Sequence, residues 1–107
     1  MPCDLTVQEL KAWMDEGKAF RLIDVREREE WEQRRLPGAE LHPFSGLPGR
    51  LLESLRPGEC VVVYCHHGHR SERAACFLAL HGIHPVFNLG GGIDAWAKWI
   101  DPAVPAH

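Results

Sequence analysis

Cys60-Val61-Val62-Val63-Tyr64-Cys65-His66-His67-Gly68-His69-Arg70-Ser71 is the stretch on which the reading of this chain turns. Its first five residues are apolar without alternation, the pattern of a short central strand covered on both faces. From Ser71 the apolar spacing becomes helical and runs to His81, closed by Gly82 in the C-terminal cap position. Between strand and helix lies a tight loop, Cys65 to Arg70, holding a cysteine, a glycine, an arginine and three histidines.

The same alternation of strand and helix extends outward in both directions. Upstream, Thr6-Val7-Gln8-Glu9 has capping-box spacing and starts a helix through about Met14, stopped near Gly17. Phe20 to Val25 reads as a strand, and Glu27 to Arg34 as a short charged helix ended by Pro37-Gly38. Its exposed face invites i,i+4 pairs such as Glu30–Arg34. Ala39 to Leu41 fits a brief strand, and Pro48 to Leu55 a helix with Leu51, Leu52 and Leu55 on one face. Downstream, Pro85 to Leu89 gives another strand, and Gly92 to Ile100 a last helix carrying Trp96 and Trp99. Strands separated by helices require crossover connections, so the fold class is α/β with a parallel sheet flanked by helices.

Length and composition agree with this and narrow the function. A chain of 107 residues is one domain, taken as residues 1–100 with 101–107 as a tail. A net charge of −3 without any Lys/Arg run gives no footing for nucleic acid or an acidic membrane. No segment reaches the roughly 18 apolar residues of a membrane span. No secretory leader is visible in Met1-Pro2-Cys3-Asp4, so a cytoplasmic setting is expected. The four cysteines lack CxxC pairing, and a reducing compartment disfavours disulfides. Cys60 and Cys76 fall in apolar runs and are expected in the core. Trp31, Trp96 and Trp99 are expected to pack, with Trp13 partly exposed.

Cys65 differs from the other cysteines in its neighbours. A loop joining a buried strand directly to a helix can curl its amides around one centre, and Gly68 can take a positive φ there. The helix adds free N–H groups and its positive dipole end. With Arg70 and three imidazoles nearby, these surroundings favour a thiolate and would also bind an oxyanion. In parallel sheets ligands collect outside the carboxyl ends of the strands, where Asp24-Val25-Arg26 also lies. The histidine spacing matches no familiar zinc pattern and no carboxylate partner stands near it, so no metal site is expected. Gly90-Gly91-Gly92 lacks the spacing and lysine of a phosphate-binding loop.

Four stretches in order resemble the single-domain rhodanese pattern. They are Asp24-Val25-Arg26-Glu27 with Glu30-Trp31, then Leu36-Pro37-Gly38-Ala39, then Val61 to Cys65 with Gly68 and Arg70-Ser71, and finally Leu89-Gly90-Gly91-Gly92 with Trp96. Together they cover nearly the whole chain. Arg35-Leu36 stands where many members of that family carry a histidine.

The resemblance implies a five-stranded parallel sheet with helices on both sides, and a sulfurtransferase reaction needing no cofactor. Cys65 would be the catalytic nucleophile, forming a persulfide from an anionic donor such as thiosulfate and passing sulfur to cyanide, a thiol or an acceptor protein. His66, His67, Gly68, His69, Arg70 and Ser71 would bind the substrate, the amides of residues 66 to 70 holding the persulfide's charge and Arg70 attracting the donor. Asp24 and Arg26 would support the loop's surroundings. Two other readings stand beside this one. A partner-dependent sulfur carrier or interaction module shares the same site. A phosphatase or arsenate reductase is disfavoured, because related loops for tetrahedral oxyanions have five residues between cysteine and arginine, and here four separate Cys65 from Arg70.

Overall fold

A computed structural model of the chain describes residues 2–47 and 49–103. Five strands, β1 (Cys3–Leu5), β2 (Arg21–Asp24), β3 (Ala39–Leu41), β4 (Val61–Tyr64) and β5 (Val86–Leu89), form one sheet in the order β1-β5-β4-β2-β3, every pair parallel. Between and after them run α1 (Val7–Glu16), α2 (Arg28–Gln33), α3 (Gly49–Ser54), α4 (His69–Leu80) and α5 (Gly92–Trp99), with a 3₁₀ turn at Phe44–Gly46. Pro48, read as the start of the third helix, lies outside the described residues, as do residues 104–107 of the tail.

β4 is the middle strand, and all four of its residues are buried. Successive side chains point to opposite faces and so divide between two cores. Val62 and Tyr64 join Leu5, Leu10, Leu22, Leu89, Ile93 and Trp96 beneath α1 and α5. Val61, Val63 and Cys65 join Ile23, Leu51, Ala74, Ala75 and Leu78 beneath α3 and α4. Each fully buried aliphatic side chain contributes roughly 1.5–3 kcal/mol, so β4 carries much of the sheet's stability and leads directly into Cys65.

Local signals account for the helix ends. Thr6 Oγ1 accepts from the Glu9 amide while Glu9 Oε1 accepts from the Thr6 amide, the reciprocal cap that starts α1. Gly17 ends that helix in the left-handed conformation. α4 starts two residues before Ser71, because Gly68 itself is its cap.

Several expectations are corrected. β1 has no counterpart among the strands read directly from residue patterns: three residues at a sheet edge are too few to show alternation, and Leu5 alone of them is buried. Cys60 and Cys76 are half-buried rather than core residues. Trp99 is 63% exposed, since Ile93, Trp96 and Ala97 form the inward stripe of α5 and Trp99 projects about 100° away from it. Trp96 is buried, Trp31 is half-buried beneath the Arg35 guanidinium, and Trp13 packs edge-on to Phe87. Among the described residues no helix is long and apolar enough to cross a membrane.

Candidate active site

Three segments leave the carboxyl ends of adjacent strands and meet at one edge of the sheet: Val25-Arg26 after β2, Cys65 to Gly68 after β4, and Gly90 to Gly92 after β5. Cys65 lies at their centre and is 2% exposed. Its Sγ accepts from the Gly68 amide at 3.1 Å and from the Ser71 amide at 3.4 Å. Gly68 has φ of 108°, which an L side chain rarely adopts, and this turn aims its own N–H and then the first turn of α4 at the sulfur. Two amides and a helix N-terminus converging on a buried sulfur are an arrangement that holds negative charge there. The second donor comes from Ser71, one residue past the loop amides named from sequence.

Behind the sulfur lies a polar pair, half of which sequence reasoning missed. Ser71 Oγ sits 3.4 Å from Cys65 Sγ and donates to Asn88 Oδ1 at 2.5 Å. Asn88 Nδ2 donates to the Gly68 carbonyl at 3.4 Å, which orients the amide so that its oxygen faces Ser71. With its proton given to the hydrogen bond with Asn88, the Ser71 hydroxyl is held in a fixed orientation beside the sulfur. Asn88 is 6% exposed within the apolar run Val86 to Leu89, and a lone amide in such a strand beside three glycines was the available signal.

Arg70 is not directed freely toward solvent. Its Nη1 and Nη2 donate to Glu30 Oε1 and Oε2, both at 2.9 Å, which ties α2 to the loop. Those hydrogen bonds hold Glu30 down to about pKa 2 and, with the charges of Glu30 and Cys65, raise Arg70 above its ordinary value. The expected Glu30–Arg34 pair is replaced by this one, because a guanidinium presented flat to a carboxylate makes two parallel bonds.

Asp24 and Arg26 are 0% and 1% exposed and pair with each other, Arg26 Nη2 to Asp24 Oδ2 at 2.8 Å. Arg26 also donates to the Arg34 carbonyl at 2.6 Å, and the Asp24 carbonyl accepts from the His42 amide at 2.9 Å. Beside them the Tyr64 hydroxyl accepts from the Leu36 amide at 3.1 Å, and burial together with the Asp24 charge pushes that phenol well above its usual range. This network fastens the segments around residues 34–36 and 42–44 over the end of β2.

Of the histidines, His66 is half-buried while His67 and His69 are exposed. His69 lines a cleft of about 460 Å³ with Thr6, Glu72, Asn88, Gly90 and Trp99. Gly90-Gly91-Gly92 clamps the loop. Ile93 and Asp94 donate their amides to the carbonyls of Cys65 and His66 at 2.9 and 3.1 Å, and a Cβ on Gly92 would overlap both of those oxygens.

The Rhodanese-like domain family model matches residues 6–98. The probable adenylyltransferase/sulfurtransferase MoeZ of Mycobacterium tuberculosis is 38% identical over 99 residues, covering 92% of this chain and 25% of that protein. The putative sulfur carrier protein YrkF of Bacillus subtilis is 30% identical over 93 residues, covering 87% of this chain and 50% of that protein. The chain therefore spans a quarter and a half, respectively, of these two relatives. A rhodanese-like domain protein from Staphylococcus aureus, known by crystal structure, superposes with a TM-score of 0.81 at 33% identity, covering 88% of this chain and 90% of that one. A match over nearly the whole length, together with the parallel sheet and the cysteine loop, means that the chain belongs to the rhodanese-like domain family.

Proposed function

We propose that this domain is a sulfurtransferase that carries sulfane sulfur on Cys65. The observation that carries the reading is the pair of amides, Gly68 and Ser71, directed at a nearly inaccessible cysteine sulfur. In the first step the Cys65 thiolate attacks the outer sulfur of thiosulfate. A new S–S bond forms, the old one breaks, and sulfite leaves with the bonding electron pair. In the second step cyanide, a thiol or an acceptor protein takes the outer sulfur, and the Cys65 thiolate departs with its electrons. Splitting the transfer in this way produces ping-pong kinetics.

The cradle stabilises the charged sulfur before and after each transfer, so little reorganisation accompanies the chemistry. Arg70 contributes positive field toward an anionic donor, though Glu30 offsets part of it. Asp24 and Arg26 act at a distance, holding the chain segments that flank the loop. Gly68 and Ser71 act through their main chain, which explains a site with few reactive side chains. The four free cysteines suit a reducing, cytoplasmic setting.

A second reading shares the persulfide and differs in the acceptor. Cys65 is 2% exposed, which favours delivery to the thiol of a docked partner over free encounter with small acceptors. In that case the domain is a sulfur carrier first.

Intact-protein mass spectrometry after incubation with thiosulfate tests the proposal. A gain of one sulfur atom, discharged by cyanide and absent in Cys65→Ser, supports it. A gain that persists in Cys65→Ser overturns the assignment of the nucleophile. Loading without discharge to cyanide or small thiols favours the carrier reading.

A further inference from the structure

The loop carries a second group of ligating side chains on its outer side. His66 and His67 stack with ring centroids 4.1 Å apart and planes 11° from parallel. Asp94, in the first turn of α5, brings Oδ2 to 3.8 Å from His67 Nε2. One ligand atom from each of the three residues lies within 4.8 Å of the others. In sequence Asp94 stands far from the histidines. The contact is made because α5 donates its Ile93 and Asp94 amides to the carbonyls of Cys65 and His66.

We infer that His66, His67 and Asp94 form a binding site for a divalent transition-metal cation of the zinc class. Two imidazoles and a carboxylate are a ligand set suited to such an ion, and three protein ligands leave one coordination position for water. Metal–ligand bonds of roughly 2.0–2.2 Å place neighbouring ligand atoms of a tetrahedral site about 3.3 Å apart. The 3.8 Å separation of His67 and Asp94 therefore closes with a small side-chain rotation, and the stacked rings of His66 and His67, whose lone pairs run nearly parallel, turn out of their stack to converge on the same ion. Sulfur takes no part, since Cys65 Sγ is turned inward to Gly68 and Ser71. A bound cation cross-links the cysteine loop to α5, adding to the two amide clamps already there, and raises the stability of the folded state by mass action. The site is independent of the sulfur-transfer reading.

Calorimetric titration of the full chain with Zn²⁺, paired with the absorption spectrum of the Co²⁺-loaded protein, tests it. One equivalent should bind, with a rise in the thermal midpoint and no intense sulfur-to-cobalt charge-transfer band. Asp94→Asn and His67→Gln should each weaken binding at least tenfold while the metal-free proteins melt as the wild type does, and Cys65→Ser should bind normally. Should His67→Gln fold poorly, Asp94→Asn at its half-buried position decides alone. Failure to bind, affinity unchanged by Asp94→Asn, or a charge-transfer band lost in Cys65→Ser would each overturn the assignment.

Discussion

Gly92 lies so close against the carbonyl of Cys65 that no methyl group fits between them. The opposing atoms are backbone, held by the amides of Ile93 and Asp94, and cannot yield as the end of a long side chain can. Gly92 also has φ of 56°, where a Cβ is itself unfavourable. Gly92→Ala should therefore lower stability by roughly 3 kcal/mol. Urea unfolding measures this directly, and a loss below about 1 kcal/mol would show that α5 can slide away from the loop without cost.

Asn88 sets the direction of the Ser71 hydroxyl and supports the Gly68 carbonyl. Asn88→Leu removes both contacts and loosens the Gly68 turn that aims its amide at the sulfur. Loss of one oriented contact of about 1.4 kcal/mol in the transition state slows a reaction roughly tenfold. Persulfide formation, followed by stopped-flow at saturating donor, should slow by about that factor, with the Cys65 loading stoichiometry unchanged. An unaltered rate would confine Asn88 to packing.

The buried pair Asp24–Arg26 predicts an asymmetric mutational response. Asp24→Ala strands a guanidinium away from water and should cost about 3–5 kcal/mol. The double substitution Asp24→Leu with Arg26→Met removes both charges and should recover most of that loss. Denaturant midpoints of the two variants decide the matter; equal destabilisation would mean that the Arg26–Arg34 carbonyl contact, not the ion pair, holds the segment.

Glu30 gives a pH dependence with a definite sign. Its hydrogen bonds to Arg70 hold its carboxyl at about 2, below the ordinary 4.5, so the folded state favours the carboxylate. The resulting stability is fully present above about pH 4.5 and is lost as pH falls toward 2. Both side chains are about one-third exposed, so screening keeps the contribution to about 1 kcal/mol. Wild type and Glu30→Gln should thus differ by that amount at pH 6 and converge near pH 2, as acid titrations of unfolding free energy will reveal. A constant difference across the range would assign the effect to packing.

How far the molecule was legible beforehand follows from the physics of each element. β4 was plain because four consecutive buried residues have no polar alternation to confuse them. α1 was plain because Thr6 and Glu9 announce their reciprocal cap. β1 left no trace because three edge residues carry too little pattern. Cys65 stood out through its local neighbours, whereas Asn88, Asp94 and the Glu30 partner of Arg70 reach the site from other elements. Pairings of that kind arise from strand order and helix placement, which local periodicity does not encode. The same limit misassigned Glu30 to Arg34, a neighbour in sequence, instead of to Arg70.

The cradle around the sulfur is built from main chain: two N–H groups, one glycine turn and two carbonyls gripped by α5. The imidazoles of His67 and His69 stand on its outer rim. The socket and its faceplate are thus separate parts. Rim side chains can be exchanged in evolution or in the laboratory to suit a new donor or docking partner while the groups that grip the sulfur stay where the backbone puts them. A library randomised at positions 67 and 69 should therefore be rich in folded proteins of altered selectivity, whereas one randomised at 68 and 92 should be poor in folded proteins of any kind.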